Sequence, residues 1–154
     1  MYAELHCLSH YSFLRGASAP DELVSRAVNC GYHALAITDE CSLAGVVKAH
    51  VAAKEQGLKL IIGSEFTLTE GIRLVALVPN REAYGELSGL ISRARRRSGK
   101  GEYIVHLRDV IFHLKRCLLI LLPDDTDNQK VHLQQLARLC KDRVWVGVSR
   151  LLGN

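Results

Sequence analysis

Short apolar runs alternate along the chain with longer segments in which apolar residues recur every three or four positions. The runs have the length of strands, and the longer segments have the spacing of helices that pack on one face. A repeated strand-then-helix pattern is typical of an α/β domain with a largely parallel sheet. The predicted strands are Tyr2–Leu8, Ala34–Thr38, Lys59–Ile62, Leu118–Leu122 and Val144–Val148, and the predicted helices begin near Pro20, Ser42, Arg81, Leu107 and Asn128.

Helix-end signals delimit the first two helices. In Ser18-Ala19-Pro20-Asp21 a capping hydroxyl precedes a proline in the first turn and a carboxylate three positions on. Ser42 is the predicted cap of the second helix, and Gly31 and Gly57 are the predicted stops. The residues expected to face the core are Leu23, Ala27 and Cys30 in the first helix, Leu43, Val46, Val47 and Val51 in the second, and Tyr84, Leu87, Ile91 and Ala94 in the third.

A predicted hairpin interrupts this alternation. Phe66–Leu68 and Ile72–Val78 are apolar and are joined through the turn signal Glu70-Gly71. The chain stops soon after its last predicted strand, without a further helix to cover it. We therefore expect residues 1–154 to form a single domain that is the N-terminal part of a larger one.

The composition is that of an ordinary globular protein. The 154 residues are 48% hydrophobic and 23% charged, and this length allows one domain with a sizeable core. No apolar run approaches the roughly 20 residues that a membrane-spanning helix needs, so we expect no membrane partner. The five cysteines are odd in number and scattered, which disfavours disulfides or a thiolate zinc site and indicates a cytoplasmic protein.

Side chains that can bind metals follow three of the apolar runs. His6 lies near the end of the first, Asp39 follows the second and Glu65 follows the third. Because the carboxyl ends of parallel strands meet at one edge of a sheet, we expect these side chains to share a rim. Leu8 and Arg15 lie between them in the sequence, and neither can act as a metal ligand.

One segment is strongly basic, although the net charge of the chain is only +4. It is either a helix C-terminus whose cations favour the negative end of the helix dipole, or a surface that contacts DNA without reading its sequence. If the segment contacts DNA, we expect the arginines to point outward together. The basic residues are Arg93, Arg95, Arg96, Arg97 and Lys100.

Five segments carry a resemblance to a known family. They are Glu4–Ser18, Ala36–Gly45, Lys59–Phe66, Arg73–Leu77 and Asn80–Tyr84. In the same order and at similar separations, they resemble the PHP (polymerase and histidinol phosphatase) domain. That domain begins the alpha subunits of bacterial DNA polymerase III and their error-prone relatives, and this chain is similar to the error-prone branch in particular. The resemblance implies an incomplete, distorted βα barrel with parallel strands, helical crossovers and a short hairpin.

The resemblance also indicates which family positions differ here. Where metal-binding members have a second histidine and an aspartate, this chain has Leu8 and Arg15. Glu40 and Arg73 each replace a further histidine. The resemblance therefore implies no catalytic residue and no working metal site in this chain. The vestigial positions are His6, Asp39, Glu40 and Glu65.

The function implied by the resemblance is that of the N-terminal PHP region of an error-prone DNA polymerase, which acts in damage-induced (SOS) mutagenesis and translesion synthesis. Magnesium would serve a polymerase site further along the polypeptide, so this region would need no cofactor and would have a structural role. The implied partners are DNA and other replication or mutagenesis proteins, and exposed apolar surface would favour self-association. The alternatives are a free-standing metal-dependent PHP phosphoesterase or exonuclease, which Leu8 and Glu40 disfavour, and a non-catalytic protein-interaction module.

Overall fold

Strands and helices alternate in the computed structural model, which describes residues 1–123 and 129–148. The predicted α/β class is confirmed. The strands are β1 (Ala3–Glu4), β2 (Ala34–Ile37), β3 (Lys59–Thr67), β4 (Arg73–Val78), β5 (Leu118–Leu122) and β6 (Val144–Val146). The helices are α1 (Pro20–Asn29), α2 (Val46–Gln56), α3 (Arg81–Arg96), α4 (Leu107–His113) and α5 (Gln129–Leu139).

The strands form one mixed sheet in the order of the sequence. β1, β2 and β3 are parallel, β4 is antiparallel to β3 and β5, and β6 is parallel to β5. Glu4 of the first strand and Trp145 of the last strand line one cavity of about 820 Å³, which shows that the sheet curls. We call this cavity the concave trough. The architecture is a half-barrel, which agrees with the predicted incomplete barrel.

The prediction for the third strand was wrong. The apolar pattern predicts separate strands over Lys59–Ile62 and Phe66–Leu68. In the structure they are joined in a single strand, and β3 runs without a break to Thr67. Its first four residues pair with β2, and the segment from Ile62 to Thr67 pairs with β4. Ser64 lies buried in the middle and donates a hydrogen bond to the Asp39 carbonyl oxygen. A polar side chain satisfied in this way does not end the strand.

Helix α1 begins at Pro20 as predicted, but its N-cap lies one residue later than expected. Ala19 rather than Ser18 occupies the N-cap position, and its N–H donates to the Glu22 carboxylate at 2.8 Å. This contact satisfies one of the backbone donors left free at a helix start. Cys30 is exposed, contrary to prediction, and Val24 is buried in the core instead.

The core face of α2 also differs from its prediction. Val47 and Val51 are 73% and 51% exposed, because small alanines occupy the positions that pack against α1 and the sheet. The helix begins at Val46 rather than at Ser42, whose hydroxyl accepts a hydrogen bond from the Ala44 N–H in the preceding turn. The buried residues of α2 are Val46, Ala49, Ala52 and Ala53.

The other element ends lie close to their predictions. Gly31 and Gly57 follow α1 and α2 with φ of +72° and +71°, as expected for glycine stops. β5 has its predicted bounds, whereas β1, α4 and β6 are shorter than predicted. The predicted start of the last helix at Asn128 lies outside the described residues. In α3, Tyr84 is exposed, and the buried residues are Ala83, Leu87, Leu90 and Ala94.

The largest core lies on the convex side of the sheet. There Phe66, Leu74 and Leu119 of β3, β4 and β5 are fully buried with Leu87 and Leu90 of α3. A second core joins β2 to α1 and α2. Among the described residues, no helix is long and apolar enough to cross a membrane. The helices thus cover the convex face, and the rim at the ends of β1 and β2 is left to polar side chains.

Candidate functional site

The polar rim predicted from the strand ends is present. β1 and β2 run parallel to β3, so the residues that follow them come beside the second half of β3. Beyond the end of β2, Glu40 forms a further parallel bridge with Glu65. The structure brings His6, Glu40 and Glu65 together in one cluster, whereas Asp39 belongs to a neighbouring one.

Glu65 is the centre of the first cluster, and its side chain is fully buried. His6 Nε2 lies 2.5 Å from Glu65 Oε2, and Arg15 Nη1 donates to Glu65 Oε1 at 2.8 Å. Burial raises the pKa of Glu65, but the hydrogen bonds from His6 and Arg15 outweigh burial and hold the pKa at about 2. Glu65 is therefore an ionised carboxylate with a partner on each oxygen at neutral pH.

Arg15 joins Glu65 to Glu40. The same Nη1 atom that reaches Glu65 also donates to Glu40 Oε2 at 2.7 Å. These contacts, above all the hydrogen bond to Glu65, raise the pKa of Arg15. A guanidinium nitrogen thus occupies the space between the two carboxylates, which is where a bridging metal ion would have to bind.

Tyr103 holds Glu40 from another side. Its hydroxyl donates to Glu40 Oε1 at 2.7 Å and accepts from the Thr67 N–H at 2.8 Å. Burial raises the pKa of Tyr103, and the hydrogen bond to Glu40 raises it further, so the phenol stays protonated. Tyr103 could not be identified from the sequence, because it lies 63 positions from Glu40 in a loop. The only local signal is an aromatic residue just after the basic segment.

Asp39 forms the second cluster, with 1% of its surface exposed. Its carboxylate accepts from the Ser9 N–H at 2.8 Å, from Ser9 Oγ at 2.7 Å and from Ser12 Oγ at 2.7 Å. Asp39 therefore fastens the turn at residues 9–12 to the end of β2, and neither serine was a candidate from the sequence.

The loop that carries Arg15 is tightly closed. A Cβ atom at Gly16 would lie 1.9 Å from the Ser9 carbonyl oxygen, so only glycine fits there. Leu14 has a φ of +61°, a conformation that is strained for leucine. Phe13 and Leu14 are 84% and 90% exposed, so neither side chain contributes much packing. The backbone of the loop and its contacts with β2 and β3 hold Arg15 in place.

The arginines at the end of α3 do not all point outward. Arg95 Nη2 donates to the carbonyl oxygens of Glu40 and Cys41, and its guanidinium lies 5.4 Å from the centre of the Tyr103 ring. Arg97 forms a two-contact ion pair with Asp109 of α4. The expectation that the arginines point outward together was therefore wrong for Arg95, whereas Arg97 is exposed and pairs with Asp109. With the described residues, Arg93, Arg96 and Lys100 form no ion pair.

The chain matches a known protein family over most of its length. The PHP domain matches residues 4–143. The chain belongs to the PHP domain family. It is 57% identical over 152 residues to an error-prone DNA polymerase of Saccharophagus degradans, and 51% identical over 153 residues to one of Methylococcus capsulatus. The matches cover 98% and 99% of this chain but 15% and 14% of those proteins, so the chain spans about 15% of the length of these relatives.

Two solved structures share this fold and are described as different kinds of enzyme. A protein described as a metal-dependent phosphoesterase from Bifidobacterium adolescentis superposes with a TM-score of 0.70 over 94% of this chain and 76% of its own. An amidohydrolase from Chromobacterium violaceum superposes with a TM-score of 0.65 over 92% and 74%. Each is 18% identical to this chain, so the likeness shows the fold alone.

The metal ions implied by the PHP family do not fit the residues of this rim. Arg15 Nη1 lies between the two carboxylates, and His6 Nε2 already contacts Glu65. Within residues 1–123 and 129–148, no three His, Cys, Asp or Glu side chains are arranged so that they could hold a metal ion. The vestigial positions are therefore joined by ion pairs and hydrogen bonds within the protein.

Proposed function

We propose that this chain is the N-terminal PHP region of an error-prone DNA polymerase, a nucleotidyltransferase of damage-induced mutagenesis, DNA repair and translesion synthesis. The observation that carries the proposal is the 57% identity to the Saccharophagus degradans enzyme over 98% of the chain. Because the chain spans 15% of that enzyme, polymerisation and its magnesium ions belong to the rest of the polypeptide. Such an enzyme acts on DNA in the bacterial cytoplasm, where its free cysteines would stay reduced.

Within that polymerase, the PHP region has a structural role and no phosphoesterase activity. A trinuclear hydrolytic site needs several nitrogen and oxygen donors that converge on adjacent cations. Here Leu8 replaces one donor, and Arg15 places its own positive charge between Glu40 and Glu65. The rim can therefore hold the first loop on the sheet but cannot activate water.

Primer extension tests the polymerase assignment. The full reading frame that contains residues 1–154 should extend a primer past an abasic site in the template with magnesium. Residues 1–154 alone should neither extend the primer nor hydrolyse a phosphoester with manganese or zinc. Manganese-dependent hydrolysis by residues 1–154 that disappears in a His6→Ala variant would instead establish a free-standing phosphoesterase.

We propose that the basic segment contacts DNA through the cations that form no ion pair with the part of the chain that the structure describes. Arg96 and Lys100 are exposed and Arg93 is half-buried, whereas Arg95 and Arg97 are engaged within the fold. With about three phosphate contacts, the logarithm of the association constant should fall with the logarithm of the salt concentration with a slope of about −2 to −3. Binding should not depend on DNA sequence, since phosphates carry no base information.

Two triple-alanine variants test this contact on a primer–template duplex. Substituting Arg93, Arg96 and Lys100 should weaken binding at low salt and flatten the salt dependence. A charge-matched control that removes Arg26, Lys54 and Lys115, which are exposed elsewhere on the surface, should bind as the parent does. Equal affinity and equal slope for both variants would leave only the interpretation of a solvated helix end.

Self-association and contacts with other mutagenesis proteins are proposed through apolar surface. Trp145 and Val146 of β6 are 51% and 57% exposed and line the concave trough. Exposed apolar residues on an unpaired strand edge favour pairing with another chain. In the intact polymerase, the same surface would be covered by other parts of the polypeptide.

A further inference from the structure

Two carboxylates and one cation meet at the end of the first loop. Glu40 and Glu65 lie side by side as a parallel bridge pair, and Glu65 is fully buried. Adjacent carboxylates repel each other and each loses hydration, so such a pair needs a cation close to both. Arg15 supplies it through a single nitrogen atom, 2.7 Å from Glu40 Oε2 and 2.8 Å from Glu65 Oε1.

We infer that Arg15 replaces a metal ion as the cation that fastens the first loop, residues 9–18, to β3 and to the end of β2. The loop is attached at two points. Asp39 holds its beginning through Ser9 and Ser12, and Arg15 holds its later part. A metal ion would have to be acquired from solution, whereas the guanidinium is covalently part of the loop that it attaches. The fold of this region is thus independent of metal.

With Arg15 present, no three His, Cys, Asp or Glu side chains of the described residues are arranged so that they could hold a metal ion. Removal of Arg15 should let the side chains of this ion cluster rearrange into a cation-binding site. The groups left behind would be the Glu40 and Glu65 carboxylates and His6 Nε2, which lies 2.5 Å from Glu65. Carboxylate oxygen and imidazole nitrogen are ligands that Zn²⁺ and Mn²⁺ accept. Without Arg15, the two carboxylates would have no full counter-ion, and a bound divalent ion would supply one. The parent protein should not respond in this way, because its guanidinium already fills the space.

Thermal unfolding of residues 1–154 at neutral pH tests the inference, with either EDTA or Mn²⁺ present. Arg15→Ala should lower the Tm in EDTA by about 5 °C or more, because it leaves a buried carboxylate without its cation. Mn²⁺ should recover at least half of that loss, and it should leave the parent Tm unchanged. The double variant Arg15→Ala/Glu65→Gln should gain no Tm from Mn²⁺, because one of the two charges is gone.

Two further variants make the test specific. Arg116→Ala removes an arginine from a largely exposed ion pair with Glu86, and its Tm should fall by no more than about 2 °C with no response to Mn²⁺. Arg15→Lys keeps a positive charge in the loop, so its Tm should lie between those of the parent and Arg15→Ala. Its gain from Mn²⁺ should be small, and this variant serves as the test if Arg15→Ala does not fold.

Chymotrypsin provides a second measurement on the loop itself. Cleavage after the exposed Phe13 should be faster in Arg15→Ala than in the parent, and Mn²⁺ should slow it again. An unchanged Tm for Arg15→Ala, or an equal rise of the parent and variant Tm with Mn²⁺, would overturn the inference. Either result would leave the polymerase assignment standing, since that rests on the sequence identity and is tested separately by primer extension.

Discussion

At the scale of single residues, Glu65 links the chemistry of the rim to the stability of the fold. Its side chain is fully buried, and its pKa is about 2 against an ordinary value of 4.5. A carboxylate with a lowered pKa stabilises the folded state above its unfolded pKa, and this contribution is lost as the pH falls toward the folded pKa. The contribution of Glu65 to the stability of the folded state should therefore be complete above about pH 5. It should be lost as the pH falls from about 5 to about 2.

Urea unfolding at a series of pH values checks this expectation. At pH 7, Glu65→Gln should be less stable than the parent by up to about 3 kcal/mol, because the amide cannot pair with Arg15 as an anion. The difference between the two proteins should shrink as the pH falls to about 2. Parallel pH profiles for parent and variant would contradict the ionised, paired state of Glu65.

Leu14 provides a second prediction at this scale. Its positive φ of 61° costs a leucine about 1–2 kcal/mol, and its side chain, 90% exposed, gives little packing in return. Leu14→Gly removes this strain but makes the unfolded chain more flexible, so we expect a net gain of about 0.5 kcal/mol. Phe13→Gly is the matched control, and it should lower stability, because Phe13 is not among the residues with positive φ. Equal losses for both variants, measured by urea unfolding, would contradict the strain.

The residue types of the rim could be predicted from the sequence, but their partners could not. His6, Asp39 and Glu65 stand near apolar runs, and parallel pairing brings strand ends together whatever the details of the loops. The contacts of Tyr103 and Arg95 with Glu40 depend on how the loop after α3 returns to the sheet. Nothing in the local pattern of residues encodes that return.

At the scale of elements, hydropathy alone misplaced the core face of α2. Valine is more apolar than alanine, so the sequence favours Val47 and Val51 as core residues. The helix instead turns Ala49 and Ala52 inward, because small side chains allow close contact with α1. Likewise, the polar residue Ser64 favours the end of a strand in the sequence. It lies within β3 nevertheless, because its hydroxyl forms hydrogen bonds with backbone groups of neighbouring segments. In both elements, tertiary packing decides what local propensity leaves open.

Asp39 is the connection between the first loop and β2, and its loss should be costly. Asp39→Ala leaves the buried Ser9 and Ser12 hydroxyls without their acceptor, so we expect a loss of about 2–4 kcal/mol. Ser12→Ala should cost about 1–2 kcal/mol, because it removes the hydrogen bond to Asp39 and the one from the Glu40 N–H, while the Asp39 carboxylate keeps its others. Glu55→Ala on the exposed face of α2 should change stability by less than about 0.5 kcal/mol. Urea unfolding of the three variants should give this order, and a loss for Asp39→Ala as small as that of the control would contradict the connection.

At the scale of the whole molecule, the half-barrel is covered on its convex face and open on its concave one. The trough of about 820 Å³ is lined by apolar side chains of β4, β5 and β6, among them Leu77, Ile120 and Val146. The sequence predicted an incomplete barrel only through its resemblance to the PHP family. It could not predict the trough, since the curl of a sheet is set by the pairing of its strands.

The open trough leads to a prediction for self-association. Light scattering should show dimers or larger species as the concentration rises, and added salt should not dissociate them, because the buried surface is apolar. Trp145 is the single tryptophan and is 51% exposed, so its fluorescence emission should shift to shorter wavelength on association. Val146→Lys places a charge on the edge strand and should yield monomers. Val47→Lys, at an equally apolar exposed position on α2, should associate as the parent does. If the parent remains monomeric at high concentration with unshifted emission, the trough does not mediate contacts between copies of this chain.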